Sequence, residues 1–144
     1  EECPFEIGKA NIVRQGEDLT IIACGLMVAT ALDAAATLAE AGIDARVMDL
    51  HTIRPMDRKA IVSAAKETGA IVVAEEHLIH GGVGSNVARI VAENHPVPMR
   101  FVGLEDLYVD SADPADLLKK YHLTAGDIVS QARAVYEVKD SMRS

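Results

Sequence analysis

The sequence has no tryptophan, only two phenylalanines and three tyrosines, and only two cysteines. Cys3 and Cys24 are too few and too oddly placed for a disulfide framework, so a reducing, cytoplasmic compartment is expected. Long apolar runs are also missing. The longest, such as residues 19–24, fall far short of the ~20 residues that a membrane-spanning helix needs. No secretory segment opens the sequence. Basic side chains are scarce as well: 14 Lys and Arg stand against 22 Asp and Glu, a formal charge of −8. With so few aromatics to stack on bases, such a surface argues against bare nucleic acid and anionic membrane as partners. No initiator Met stands at position 1, which leads us to expect that the chain is a piece of something longer.

What is present is one domain's worth of chain, 144 residues, enough to bury a substantial core. Two β-prone runs, 8–14 and 19–24, flank the turn-rich tetrapeptide Gln15-Gly16-Glu17-Asp18, a pattern that predicts a hairpin. Val28, Ala31, Ala35 and Leu38 then recur at helical spacing over 26–41, with Gly42 as the C-terminal stop. A strand is expected over 43–50. Asp57 is the predicted N-cap of a helix whose inner face is Ile61, Ala64 and Ala65 and which Gly69 closes. A strand over 70–74 and a glycine loop lead to a third helix at 85–94, with Val87, Ile90 and Val91 inward. Pro96 and Pro98 force extended chain into a strand around 99–102. Asp113-Pro114 and the Thr124/Asp127 capping box predict two terminal helices.

Strands alternating with helices of this length specify an α/β fold with a mostly parallel sheet covered on both faces, in three αβα layers, and an antiparallel strand at one edge. In such folds ligands and partners gather past the carboxyl ends of the strands. The segment AIVVAEEHLIHGGVGSNVARIVAEN, residues 70–94, is therefore the natural working edge: an apolar run stops at Glu75 and Glu76, and two histidines and three glycines follow. The backbone amides of Gly82, Val83, Gly84 and Ser85 at a helix start can cradle an anion. There is no G-x-G-x-x-G spacing and no P-loop lysine, so a nucleotide fingerprint is not made, and the glycines are also explained by close backbone packing. Glu75, Glu76, His77 and His80 are metal-ligand types without H-E-x-x-H spacing. The expectation is that one glutamate is solvated, while the other receives hydrogen bonds at the strand end or from a neighbouring subunit.

Other candidates are weaker. Cys24-Gly25 occupies a strand-to-helix turn where a thiol can be activated, yet no Arg stands at position 30 to complete a phosphatase loop. Asp49, His51 and Arg54 can bind an anion or equally form a salt-bridged, proline-braced loop. Glu105, Asp106, Asp110, Asp113 and Asp116 lack the register of a calcium loop and suit helix capping and solvation. His95 and His122 are assigned no role.

Taken in order, FEIGKA at 5–10, LTIIACG at 19–25, LHTIRPMD at 50–57, AEEH and GGVGS between 74 and 85, PVPMRFVG at 96–103 and SADPADLLKKYHLTAGDIV at 111–129 resemble the C-terminal domain of transketolase. The likeness is greatest to the split microbial transketolases, made as an N-terminal and a C-terminal section, and runs from about residue 5 to 135. Deoxyxylulose-phosphate synthases and the β subunits of 2-oxoacid dehydrogenases share the domain and are the alternative membership. The sequence departs from the commoner transketolase pattern at Tyr108, Val109 and Ala112.

The resemblance implies a five-stranded mixed sheet, four strands parallel and one antiparallel. It implies a single C-terminal domain over 1–144: a linker remnant at 1–7, a folded core at 8–139 and a tail at 140–144. It further implies that catalytic residues, thiamine diphosphate and its divalent metal, Mg or Ca, belong to the N-terminal and middle domains. This chain alone is then expected to bind no cofactor and no metal and to be inactive. Its partners would be those domains, or the N-terminal section, in a homodimeric, cytoplasmic holoenzyme of the pentose phosphate pathway. The expected interface residues are Glu75, Glu76, His77, His80, Gly81, Gly82, Gly84 and Ser85. A different class of function, a free-standing anion-binding regulator using the Gly25 turn and the glycine loop, stays open at this point.

Overall fold

The structure is a computed structural model that describes residues 9–25, 27–50, 56–78, 83–104 and 124–142, apart from the side chains of 76–78 and 104. Within them lie strands β1 (Asn11–Arg14), β2 (Leu19–Ala23), β3 (Ala45–Asp49), β4 (Ile71–Leu78) and β5 (Met99–Leu104). The helices are α1 (Met27–Glu40), α2 (Arg58–Thr68), α3 (Val83–Asn94) and α4 (Ala125–Met142). None of these helices is long and apolar enough to cross a membrane.

The five strands form one sheet in the order β1-β3-β2-β4-β5. β2, β3, β4 and β5 run parallel, and β1 is the antiparallel edge strand, as the family resemblance implies. Alternate residues of each central strand feed two separate cores, because successive side chains leave opposite faces of the sheet. Leu19, Ile21, Ala23, Val47, Val72 and Ala74 meet α1 and α4 on one face. Ile22, Met48, Ile71 and Val73 meet α2 and α3 on the other. Both faces being covered is why these strands read as continuous apolar runs rather than alternating ones.

Local signals place both ends of α2, the end of α1 and the start of α4 where the sequence predicts. The Asp57 side chain accepts the Ala60 N–H, and Gly69 ends α2 in the left-handed region at φ 71°. At the end of α1, Gly42 at φ 81° donates to Ala39 O while Ile43 donates to Leu38 O, both at 3.0 Å, a complete Schellman closure. Asp127 accepts from both the amide (3.0 Å) and the hydroxyl of Thr124, the reciprocal cap expected ahead of α4. The Asp113-Pro114 cap lies outside the described residues.

Three expectations are corrected. The hairpin does not form: β1 pairs with β3, which lies between it and β2. Residues 15–18 instead pack against the start of β3. A methyl group on Gly16 would stand 2.4 Å from the Ala45 carbonyl carbon and the Arg46 nitrogen. Asp18 and Asp44 tie the same place: Asp44 N donates to Asp18 Oδ2 at 2.7 Å and Glu17 N to Asp44 Oδ2 at 3.2 Å. β4 also runs on to Leu78 rather than stopping at residue 74, and α3 begins at Val83, two residues earlier than predicted. Both shifts have one cause, described next.

Candidate functional site

The carboxyl ends of β2, β3, β4 and β5 lie along one edge of the sheet, where the chain turns toward α1, α2 and α3. At the centre of this edge β4 is irregular. Ala74 stands opposite Val102 but Leu78 stands opposite Leu104, so β4 uses four residues where β5 uses two. The buckle contains Glu75, Glu76 and His77, and such bulges re-aim side chains and bend the strand.

Glu75 is 2% exposed, a carboxylate inside the layer between the sheet and α3. Burial of a charged oxygen pair is costly unless each oxygen is hydrogen-bonded. Here each is: Oε2 accepts the Val83 N–H at 2.9 Å and Oε1 the Gly84 N–H at 3.0 Å. These are among the first amides of α3, which have no partner within the helix and carry the positive end of its dipole. Glu75 therefore caps α3 from the neighbouring strand. Held by this cap, helical geometry begins at Val83, and the strand must extend past Ala74 to deliver the carboxylate.

Gly84 is a packing glycine. A methyl there would stand 2.9 Å from Phe101 Cδ1 and 3.4 Å from Glu75 Oε1. The anion cradle expected from the glycine loop is thus real for Val83 and Gly84, and the anion is the protein's own. The expectation that one glutamate is hydrogen-bonded at the strand end holds for Glu75. Ser85 is exposed on the first turn of α3. Glu76 and His77 lie in β4 with side chains outside the described set, and His80, Gly81 and Gly82 lie outside it altogether.

The remaining candidates do not gather here. Cys24 is 8% exposed at the end of β2, beside the Gly25 turn at φ 60°. Asp49 ends β3, in register with Ala23 and Asn11. His95 N donates to Val91 O at 2.8 Å just after α3. His51, Arg54, His122 and the acidic stretch from Glu105 to Asp116 fall outside the described residues. Among the described residues no group of three or more His, Cys, Asp or Glu could hold a metal ion.

Sequence reasoning missed a polar cluster at the opposite, amino edge of the sheet. Arg46 donates through Nε to Gly16 O at 3.1 Å and through Nη1 to Glu67 at 2.7 Å. Lys139, near the end of α4, is buried and reaches Asp18 O at 2.6 Å. The signal was present only as charged residues at core-facing positions. These contacts fasten the 15–18 connection and α4 to the sheet.

The family described as transketolase, C-terminal domain, matches residues 8–128. The chain belongs to that family. It is 44% identical over 140 residues to a 6-deoxy-6-sulfo-D-fructose transketolase subunit of Clostridium sp., covering 97% of this chain and 44% of that protein. It is 42% identical over 132 residues to one of the subunits of an apulose-4-phosphate transketolase of Phocaeicola vulgatus, covering 92% and 42%. A 1-deoxy-D-xylulose-5-phosphate synthase of Desulforudis audaxviator is 38% identical over 130 residues, covering 89% and 20%. Among solved structures, a split-gene transketolase described as an inactive β4 tetramer superposes with a TM-score of 0.90 at 42% identity, covering 95% of this chain and 45% of that one. The chain thus spans less than half the length of these relatives.

Proposed function

We propose that this chain is the C-terminal assembly domain of a transketolase-type, thiamine-dependent enzyme that transfers a ketol unit between sugar phosphates. Its carboxyl edge, residues 75–85, is the surface that packs against the middle domain and the second protomer of a cytoplasmic homodimer. Of the residues expected there, Glu76, His77, His80, Gly81, Gly82 and Ser85 are proposed for the contact itself, while Glu75 and Gly84 are buried and support it from beneath. The observation that carries this reading is the Glu75 carboxylate on the amides of Val83 and Gly84. An edge whose helix-start donors are taken by its own buried acid is built for shape rather than for capture of a free anion.

The same observation bears on the cofactor. The amides of Val83 and Gly84, which a diphosphate would need at this helix start, are already filled, so the described residues of the edge do not fit thiamine diphosphate. On this reading the cofactor and its divalent metal are held by the other domains, and residues 8–139 serve as one packing unit. Inactivity of the isolated chain is supported by the solved relative described as an inactive β4 tetramer.

The test is reconstitution. The purified N-terminal and middle domains are mixed with this chain, and complex formation and ketol transfer are measured together. No complex and no restored turnover would defeat the reading. The relatives at 38% identity supply the second reading, a part of a 1-deoxy-D-xylulose-5-phosphate synthase. Assaying formation of that product in parallel, with the matching partner domains, separates the two.

A further inference from the structure

Glu75 stands out from the other buried polar residues of the described chain because of where it acts. Thr20 and Thr68 bond to each other at 2.7 Å within the interior, and Arg46 and Lys139 fasten the amino edge. Glu75 alone among the buried polar residues ties two elements together at the carboxyl edge, and it does so from within the buckle of β4. Its bonds run eight and nine residues forward, from the strand to the first turn of α3. They fix the distance and direction between the end of β4 at Leu78 and the start of α3 at Val83.

We propose that Glu75 is the positioning residue of the assembly edge: its carboxylate sets the relative placement of the buckled β4 end and the α3 start, and this placement is what the partner domain reads. The inference rests on the proposed assembly function and adds to it a single residue that orients the surface without touching the partner. Three features carry it. The residue is 2% exposed, so in this chain its effect on a partner runs through the elements it ties. Its two acceptors are matched one to one with two donors, which fixes orientation as well as proximity. The packing beside it is close, a methyl at Gly84 meeting the Phe101 ring at 2.9 Å, so the α3 start that the carboxylate holds lies tight against β5.

Glu75→Gln keeps the shape and replaces one acceptor with an NH2 group that faces an N–H. Val83→Pro keeps the acid and deletes one of its donors at the first position of a helix, where proline is tolerated. Each variant is introduced into the full subunit, and its dissociation constant for the partner domains is measured beside kcat at saturating partner. The reference is a core variant on α2, Ile61→Val, with thermal unfolding recorded for all. The expected result is a dissociation constant raised severalfold, up to about tenfold, by Glu75→Gln, because binding must then restore a placement that the lost charge-assisted hydrogen bond no longer holds, with kcat at saturation little changed. Ile61→Val should leave the constant near wild type even where its melting temperature falls as far. If Glu75→Gln fails to fold, Val83→Pro gives the reading. Should wild type assemble while the Glu75 and Val83 variants assemble equally well, or lose affinity only in proportion to melting temperature as Ile61→Val does, the positioning role is overturned and the assembly function survives. Should wild type form no complex, both fall.

Discussion

The Glu75 carboxylate accepts the backbone N–H of Gly84 at 3.0 Å, and a methyl on that same Gly84 would stand 3.4 Å from the same oxygen. The glycine feeds the acid a donor and leaves space for the Phe101 ring beside it. This pair accounts for the early start of α3 and the extension of β4, while Phe101, 2.9 Å from where a methyl would stand, accounts for the absence of a side chain at position 84.

Replacing Gly84 by alanine sets two effects against each other. A helical alanine gains up to about 1 kcal/mol over glycine, while overpacking against Phe101 costs about 1–3 kcal/mol. The contact at 2.9 Å is to a ring atom close to the backbone rather than a free chain end, so the clash should win. Urea denaturation of Gly84→Ala is expected to show a net loss of about 1 kcal/mol. The double variant with Phe101→Leu should recover part of it, the coupling expected of residues in contact.

Gly16→Ala should be far worse. Its methyl would meet backbone atoms of Ala45 and Arg46 at 2.4 Å, and this backbone, held in register with Leu19 and Thr20 of β2, cannot swing aside cheaply. We expect a loss of about 3 kcal/mol or more, seen as failure to accumulate folded protein or as a much lower melting temperature.

Asp57 bonds both forward and across the fold, to Ala60 N at 3.1 Å as the N-cap of α2 and to Ala10 N at 2.9 Å ahead of β1. Asp57→Ala should cost about 1–2 kcal/mol in chemical denaturation. Asp57→Asn, which retains one carbonyl acceptor, should cost clearly less. Equal losses would mean that the cap alone does not account for the residue.

The Arg46–Glu67 pair separates packing from charge. Glu67 is 57% exposed, so the ion pair is screened, and Glu67→Gln should change stability by less than about 1 kcal/mol. Arg46 is 8% exposed, and Arg46→Ala also loses the bond to Gly16 O and the burial of its stem. It should cost severalfold more, with little dependence on salt.

His77→Ala and Gly82→Ala bear on the proposed function. Each should raise the concentration of partner domains needed for half-maximal ketol transfer, with turnover at saturation retained. Variants that assemble normally yet lose turnover would show that this loop belongs to the chemistry instead.

Features governed by neighbours three or four residues apart were legible in the sequence. The Asp57 cap, the Gly69 stop, the Thr124/Asp127 box and the inward face of Ile61, Ala64 and Ala65 all appear where the pattern places them. Such signals are local, so the chain carries them wherever the element is put. The partner of β1 was not legible. The tetrapeptide at 15–18 suits a tight turn, but strand pairing is decided by which backbone can approach, and Gly16 packs on Ala45 and Arg46 instead.

The candidate site shows the same division. Residue pattern and motif order were enough to specify an open α/β sheet of the transketolase C-terminal family, an edge rich in carboxylate, histidine and glycine after β4, and helix-start amides able to hold an anion. They also specified that one glutamate there would be hydrogen-bonded. It took the packed fold to make these two expectations a single interaction, with Glu75 as the anion and Val83 and Gly84 as its cradle. The reason is that the buckle in β4 and the approach of α3 to β5 set where the carboxylate lies, and both depend on contacts between elements that no local pattern encodes.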